Sequence, residues 1–537
     1  MKKLLIPLAV IIVIILVISG CGGATTTTTS QPTSTQTSVT TVTPMETTST
    51  PTTTAASQIK RGGTLQYIYP YSPIAVPGWP ADNANFQRLW MNWTVFEPLV
   101  KPDRMYQPTP WLATSWDWAP DKSSIVFHLR QNVVYHDGSI FKAANVKFEG
   151  DLMIEQGGTT GATWDSWEII DDYTIRLNLK KYQNNFWGGF FGISMCFPSV
   201  EAINTHGEDW VKEHPIGTGP YTFESFEMDV KMQLKAYDNY WQEGKPYLDS
   251  LDFVTVKETL RAQSVMEAGE GVIWALQQGK TLYDMKNMGF DVRYDYGGTD
   301  FLLFDTQNPD SVTSNVKVRM AIEYALDKQA MADALGYGFL IPNNQWSPPF
   351  NPSFNADLPS RDYDPEMAKQ LLTEAGYPNG TKLHIITIGS EPEILSVQQY
   401  LEAVGFEVEL ESVDNAKFWN YCSTGWTGLL NVGYAIGSDS FPAALKAYFG
   451  PTATIDVSVK IPDEVLAKVE VALSEQDPVK AKALSDEIIK DLYDDCWMVP
   501  FYSNAMGFIL RTDVKDSGVE DFADWSLWSP ENVWLDR

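Results

Sequence analysis

The groups through which this chain could do covalent or metal chemistry are its five histidines, four cysteines and 68 carboxylates, and their spacing argues against most such chemistry. His128, His136, His206, His214 and His384 are scattered, and neither an HExxH pair nor a GxSxG elbow occurs. Metalloprotease and serine-hydrolase mechanisms therefore have no local signature. His136-Asp137 could pair a base with its orienting acid, but Gly138 follows, and the tripeptide reads as a turn. Asp171-Asp172 and Asp494-Asp495 set carboxylates side by side; neighbours on a strand point to opposite faces, so they would not act as a pair there. Gly217-Thr218-Gly219 lacks the lysine and the spacing of a phosphate loop. None of Cys21, Cys196, Cys422 and Cys496 falls in a CxxC or zinc-like cluster. No catalytic residue, metal site or cofactor is assigned, and an extracellular hydrolase remains only as a rival without a motif.

One cysteine does have a chemical context. Lys2 and Lys3 precede an apolar run from Leu4 to Ile18, interrupted only by Pro7. At roughly 15 residues the run is shorter than the ~20 that span a bilayer, and it fits the hydrophobic core of a signal peptide. Ile18-Ser19-Gly20-Cys21 follows, a branched residue, two small ones and a cysteine, which resembles the bacterial lipobox. That resemblance implies cleavage before Cys21 and a diacylglyceryl group on its thiol, with residues 1–21 as a lipoprotein signal. Residues 22–58 are dominated by Thr, Ser, Pro, Gln and Ala, with Glu46 as their single charge. Such a stretch cannot bury enough surface to offset its ordering entropy and reads as a flexible linker. If Cys21 carries lipid, an odd number of cysteines remains. One disulfide among Cys196, Cys422 and Cys496 stays open, and all three suit small buried hydrophobes.

The elements that would position a site begin at Lys60. A chain of 537 residues exceeds one compact core and is expected to form two or three domains. Its net charge of −29 repels phosphate backbones, which argues against a nucleic-acid partner. Gly62-Gly63 feeds an alternating strand, Ser124 to Arg130 and Tyr173 to Leu179 alternate, and Gly217 to Tyr221 opens a strand pair returning through Met232 to Ala236. Asn85 to Val100 and Lys142 to Met153 have helical spacing. Val316 to Leu335 reads as one long amphipathic helix, and Asp364 to Ala375 as another, closed by Gly376 and Pro378. Leu383–Ile388, Glu393–Val404 and Phe406–Val413 read as strand, helix, strand, a βαβ unit of an α/β domain. Asp463–Leu473 and Pro478–Leu492 are two more helices, and Met498–Leu510 returns to strand. No internal repeat is seen.

Four blocks in order carry a family resemblance. The first is Leu112-Ala113-Thr114-Ser115-Trp116, Phe127-His128-Leu129-Arg130, Tyr135-His136-Asp137-Gly138 and Ala143-Ala144-Asn145-Val146, with Asn145 in place of the usual acid. The second is Pro215 to Tyr221, the third Val316 to Asp327, and the fourth Asp364 to Lys369 with Leu371-Leu372 and Ala375-Gly376-Tyr377. In this order and spacing the chain resembles the family 5 extracellular solute-binding proteins, which serve oligopeptide, dipeptide, nickel and some oligosaccharide importers. The resemblance implies an α/β, periplasmic-binding-protein-like class II (cluster C) fold: two α/β lobes on a hinge plus an inserted domain. Domain I would hold 59–100, 216–300 and 498–537, domain II 101–215 and domain III 301–497, with the hinge near Asp300 and Pro500. It further implies a monomer outside the cytoplasm, held by its lipid on the outer face of the cytoplasmic membrane. Such a protein closes on a solute without changing it and passes it to the permease and ATPase subunits of an ABC importer. A sensory binding protein that feeds no permease is a further rival.

For the ligand, the family's peptide binders hold an α-amino group with an Asp in a GW-x-x-D segment. The corresponding Val432-Gly433-Tyr434-Ala435-Ile436-Gly437-Ser438-Asp439 offers only Asp439 nearby, and Gly271 stands where an acid is common. Trp79, Trp90, Trp93, Trp274, Trp419, Trp426 and Tyr434 lie in regions that could face a cleft, and flat rings suit sugar faces and apolar side chains alike. Three or four buried rings at about 1.5–3 kcal/mol each would reach the about 8 kcal/mol of micromolar binding. Candidate ligand contacts are Asn83, Trp93, Trp274, Thr299, Phe418, Trp419, Trp426, Tyr434 and Asp439. The expected solute is an oligopeptide or similar molecule, with an oligosaccharide as the alternative.

Overall fold

A computed structural model describes residues 59–69, 78–79, 89–103, 106–157, 161–191, 195–389, 392–434, 440–519 and 528–537. Its frame is one mixed sheet of eleven strands. The path runs Glu407–Val413, Lys382–Ile388, Leu429–Tyr434, Asp291–Phe304, Met498–Leu510, Ile273–Leu276, Thr64–Tyr69, Ser250–Thr255, Lys231–Ala236, Tyr221–Glu227. Leu340–Pro342 pairs with Met498–Leu510 beside that path.

Two long antiparallel strands, Asp291–Phe304 and Met498–Leu510, form the spine that both halves share. On one side Ile273–Leu276 continues the sheet from Gly507–Leu510, and on the other Leu429–Tyr434 continues it from Thr299–Phe304. The spine's register shifts twice, at Tyr296/Gly298 between these regions and at Asp300/Phe301 within the second. Each shift is an irregularity that bends and twists the ladder locally. Every residue of Met498–Leu510 is buried, as a strand covered on both faces must be.

Local chemistry accounts for the elements around the spine. Lys382–Ile388 and Glu407–Val413 pair in parallel with the helix Pro392–Ala403 between them, the expected βαβ unit. Asp364 accepts the Met367 N–H, Pro365 opens the helix Pro365–Glu374, and Gly376 follows at φ +96, where a side chain would be strained. The single helix expected over Val316–Leu335 is two, Val316–Tyr324 and Lys328–Leu335. Asp327 Oδ1 accepts the Ala330 N–H at 2.9 Å, so a side chain begins a new helix where apolar spacing alone runs on.

A separate four-stranded sheet, Ala113–Trp118, Ser124–Leu129, Thr174–Leu179 and Trp164–Asp171 in that order, carries the helix Ala143–Gln156 and its own core. Glu97 ties this sheet to the main one. Its carboxylate accepts from Trp111 Nε1 (2.8 Å), Thr218 Oγ1 (2.8 Å), Tyr240 OH (2.8 Å) and Trp241 Nε1 (2.9 Å). Burial holds its carboxyl above the ordinary value despite Lys101. Cys196, Cys422 and Cys496 are free and buried in three different cores, which closes the disulfide left open by sequence. Among the described residues no helix is long and apolar enough to cross a membrane; Cys21 and the apolar run before it lie outside them.

Candidate functional site

A cleft of about 430 Å³ opens where the spine changes register. Its floor is the spine itself, Asp300 from one strand and Phe501, Tyr502 and Asn504 from the other. One wall is the Gln277–Thr281 segment entering the helix Gly279–Asn287, with Tyr337 beside it. The opposite wall is built from Thr387, Glu393, Phe418, Trp419 and the strand residues Asn431–Gly433. The size suits a small organic solute, and so does the mixture of rings, amides and a few charges.

The side chains are held before any ligand arrives. Asn504 Nδ2 donates to Asp300 Oδ2 at 2.5 Å. Gly433 lies directly across from Asp300 in the ladder, and a Cβ there would stand 2.0 Å from Asp300 Oδ1. The glycine is what gives that carboxylate its room. Asn431 Nδ2 donates to Thr387 Oγ1 at 3.2 Å. Trp419 is half-buried, and its indole N–H donates to Asn415 Oδ1 at 2.9 Å. Lys280 is paired with Asp284 at 2.6 Å. The lining carries two carboxylates, Asp300 and Glu393, and one ammonium that already has a partner.

Of the residues expected from sequence, the structure brings Phe418 and Trp419 to this cleft. It packs the other described candidates elsewhere. Trp93 and Trp274 are 1% and 2% exposed in two cores of the first half. Trp426 is in the core of the second half, its backbone N–H donating to Ser458 Oγ at 2.8 Å. Thr299 and Tyr434, both 0% exposed, face each other across the ladder one residue away from Asp300 and Gly433. Successive residues of a strand alternate sides, so their side chains go under the floor. There Thr299 Oγ1 lies 3.0 Å from Ser503 Oγ and accepts from Asn343 Nδ2 at 3.2 Å. Tyr434 OH donates to Asp456 Oδ2 at 2.7 Å. Burial pushes the Asp456 carboxyl up to about 7. Trp79 is also buried, its indole N–H on Glu149 at 3.0 Å. Asn83, Asp439 and the Trp90 side chain lie outside the described residues.

Sequence reading missed Asp300, Glu393, Asn431 and Asn504. No local pattern marks them, because three strands and a helix meet there and Asp300 and Asn504 alone are about 200 residues apart.

The groups considered for catalysis form no reactive array. His136 Nε2 donates to Gly219 O at 2.9 Å while Nδ1 accepts the Gly217 N–H at 3.4 Å. Burial pushes this imidazole down to about 4, so it stays neutral as a turn fastener. Asp137 accepts from Ser139 and Ser199 rather than from the ring. Among the described residues no group of three or more His, Cys, Asp or Glu could hold a metal ion.

Residues 107–456 match the model of the bacterial extracellular solute-binding proteins, family 5, middle region. The chain is 28% identical over 369 residues to heme-binding protein A of Haemophilus influenzae, covering 61% of this chain and 65% of that protein. It is 27% identical over 315 residues to the glutathione-binding protein GsiB of Pectobacterium atrosepticum, covering 56% of this chain and 60% of that one. The matches thus span under two thirds of either relative's length. The fold superposes on the ABC transporter-associated periplasmic binding protein DppA from Helicobacter pylori, solved in complex with the peptide STSA. The TM-score is 0.75 at 21% identity, over 89% of this chain and 99% of that one. The architecture is therefore the two-lobed α/β fold of periplasmic binding proteins.

Proposed function

Because the chain belongs to the bacterial extracellular solute-binding proteins of family 5, we propose that it captures a small peptide-like solute in the cleft over the spine and delivers it unchanged to an ABC permease. The carrying observation is that a cleft of about 430 Å³ lies where the two halves share the spine. Moving one half against the other opens or encloses it. Trp419, backed by the buried Phe418, offers a ring face to apolar side chains. Asp300 and Glu393 offer carboxylates to a peptide's ammonium, and Lys280 can turn toward its carboxylate.

On this reading domain I comprises 59–100, 216–300 and 498–537, domain II 101–215 and domain III 301–497. The register shift at Asp300/Phe301 supports a hinge beside Asp300 and Pro500. The signal-like run ending at Cys21 and the linker 22–58 support a lipid-tethered monomer on the outer face of the cytoplasmic membrane. Calorimetric titration with di- to pentapeptides, reduced glutathione and xylo-oligosaccharides tests the ligand class. Micromolar peptide binding is expected; binding of the sugars alone refutes it. Mass spectrometry of the released solute is expected to find it intact, and a cleaved product would make the protein an enzyme. Intact-mass measurement of the membrane-extracted protein should show acyl chains on Cys21.

A further inference from the structure

Away from the cleft, the segment following the strand Thr174–Leu179 reaches across to the helix Asp463–Ser474, which belongs to the core of the other half. The contact has a specific geometry. The Asn184 backbone N–H donates to Leu473 O at 2.8 Å. Its side-chain Nδ2 donates to Ala472 O at 2.8 Å and to Glu475 O at 3.2 Å. Lys181 Nζ lies 2.8 Å from Glu470 Oε2, and Lys446 holds the other oxygen of that carboxylate. The last carbonyls of a helix have no partner within it and must be satisfied from outside. Ala472 and Leu473 are both 1% exposed, and Ala472 O also accepts the Glu475 N–H at 3.3 Å, so Leu473 O and Glu475 O are the carbonyls for which Asn184 matters most. One asparagine of the four-stranded sheet domain thus completes a helix end in the opposite lobe.

Glu97 makes this contact consequential. It fastens the four-stranded sheet to the first half through Trp111, Thr218, Tyr240 and Trp241. A rotation of the second half about the spine must carry the helix Asp463–Ser474 away from Asn184. We propose that Asn184, assisted by Lys181, is a latch: it holds the lobes in the closed arrangement and sets how long a captured solute stays. The retention role rests on the binding-protein reading above; the latch itself does not.

The test uses the full chain with fluorophores on Asp165→Cys and Lys490→Cys, both exposed and one on each side of the contact. Cys196, Cys422 and Cys496 are buried, and Cys21 is replaced by serine so that only the two introduced thiols take the label. Single-molecule energy transfer in solute-free protein gives the ratio of closed to open molecules. Asn184→Ala removes both side-chain bonds and should lower that ratio about tenfold. Lys181→Glu should lower it at low salt and recover as salt screens the repulsion from Glu470. An unchanged ratio in both variants, with unaltered thermal melts showing them folded, overturns the latch. Adding reduced glutathione or dialanine should raise the closed population and prolong its dwell time, less so in Asn184→Ala. No response of either protein to those solutes removes the retention role while the solute-free comparison still judges the latch.

Discussion

Replacing Asp456 by asparagine should stabilise the second half of the molecule above neutral pH and leave its acid stability unchanged apart from a constant offset. Asp456 is 1% exposed, Tyr434 OH donates to one of its oxygens at 2.7 Å, and the buried Cys422 thiol is its other side-chain partner. Burial raises its folded pKa to about 7 from an ordinary 3.8. Below the lower value the group is protonated in both folded and unfolded chains and costs nothing. As pH rises from about 4 to about 7 the unfolded chain releases this proton and the folded one keeps it. Stability is therefore lost across that window and stays lower above it. About 3 pKa units at 1.36 kcal/mol each give a loss on the order of 4 kcal/mol. Urea denaturation of wild type and Asp456→Asn at pH values from 4 to 9, followed by fluorescence, reads the difference. Subtracting the two curves removes the titration of every other carboxylate. A difference that does not change with pH would refute the burial argument.

Four further substitutions separate the cleft from the cores. Trp419→Ala should weaken peptide binding by about ten- to hundredfold with a near-normal melt, whereas Trp274→Ala, buried in a core, should destabilise by about 3–5 kcal/mol; calorimetry and denaturation distinguish them. Glu323 is buried between Lys328 at 3.2 Å and Arg361 at 2.7 Å. Burial pushes its carboxyl up, but the two cations overcome this and hold it below the ordinary value. Glu323→Gln leaves two buried cations uncompensated and should cost about 3–5 kcal/mol in equilibrium denaturation. Gly433→Ala puts a Cβ 2.0 Å from Asp300 Oδ1, so it should displace the carboxylate, cost about 1–3 kcal/mol, and abolish peptide binding in calorimetric titration.

The architecture was legible because its signals are local. Asp364-Pro365 and Gly376 bound a helix by their own chemistry, and Leu383 to Val413 shows its periods within thirty-odd residues. The helix over Val316–Leu335 was misread because apolar spacing continues through Asp327, and only that residue's cap on the Ala330 N–H reveals the break. The site was harder for a geometric reason. Thr299 and Tyr434 are in the right strands but on the rung next to Asp300 and Gly433, and one position off sends a side chain to the opposite face. Parity cannot be read when a strand is buried on both sides, since nothing alternates; Met498–Leu510 is such a strand. Tryptophans were poor guides because a ring suited to a ligand is equally suited to a core. Trp93, Trp274 and Trp426 serve cores.

The placement of Met498–Leu510 also governs when this molecule can assemble. That strand is interior, flanked by Asp291–Phe304 on one side and Ile273–Leu276 on the other. The cores of the first half, including the segment that begins at Thr64, wait for it. Until the ribosome has passed residue 510, the first half has a gap in the middle of its sheet and no route to a finished core. Domains ordinarily mature in order as they emerge; here the first half cannot close its sheet until residue 510 has been made.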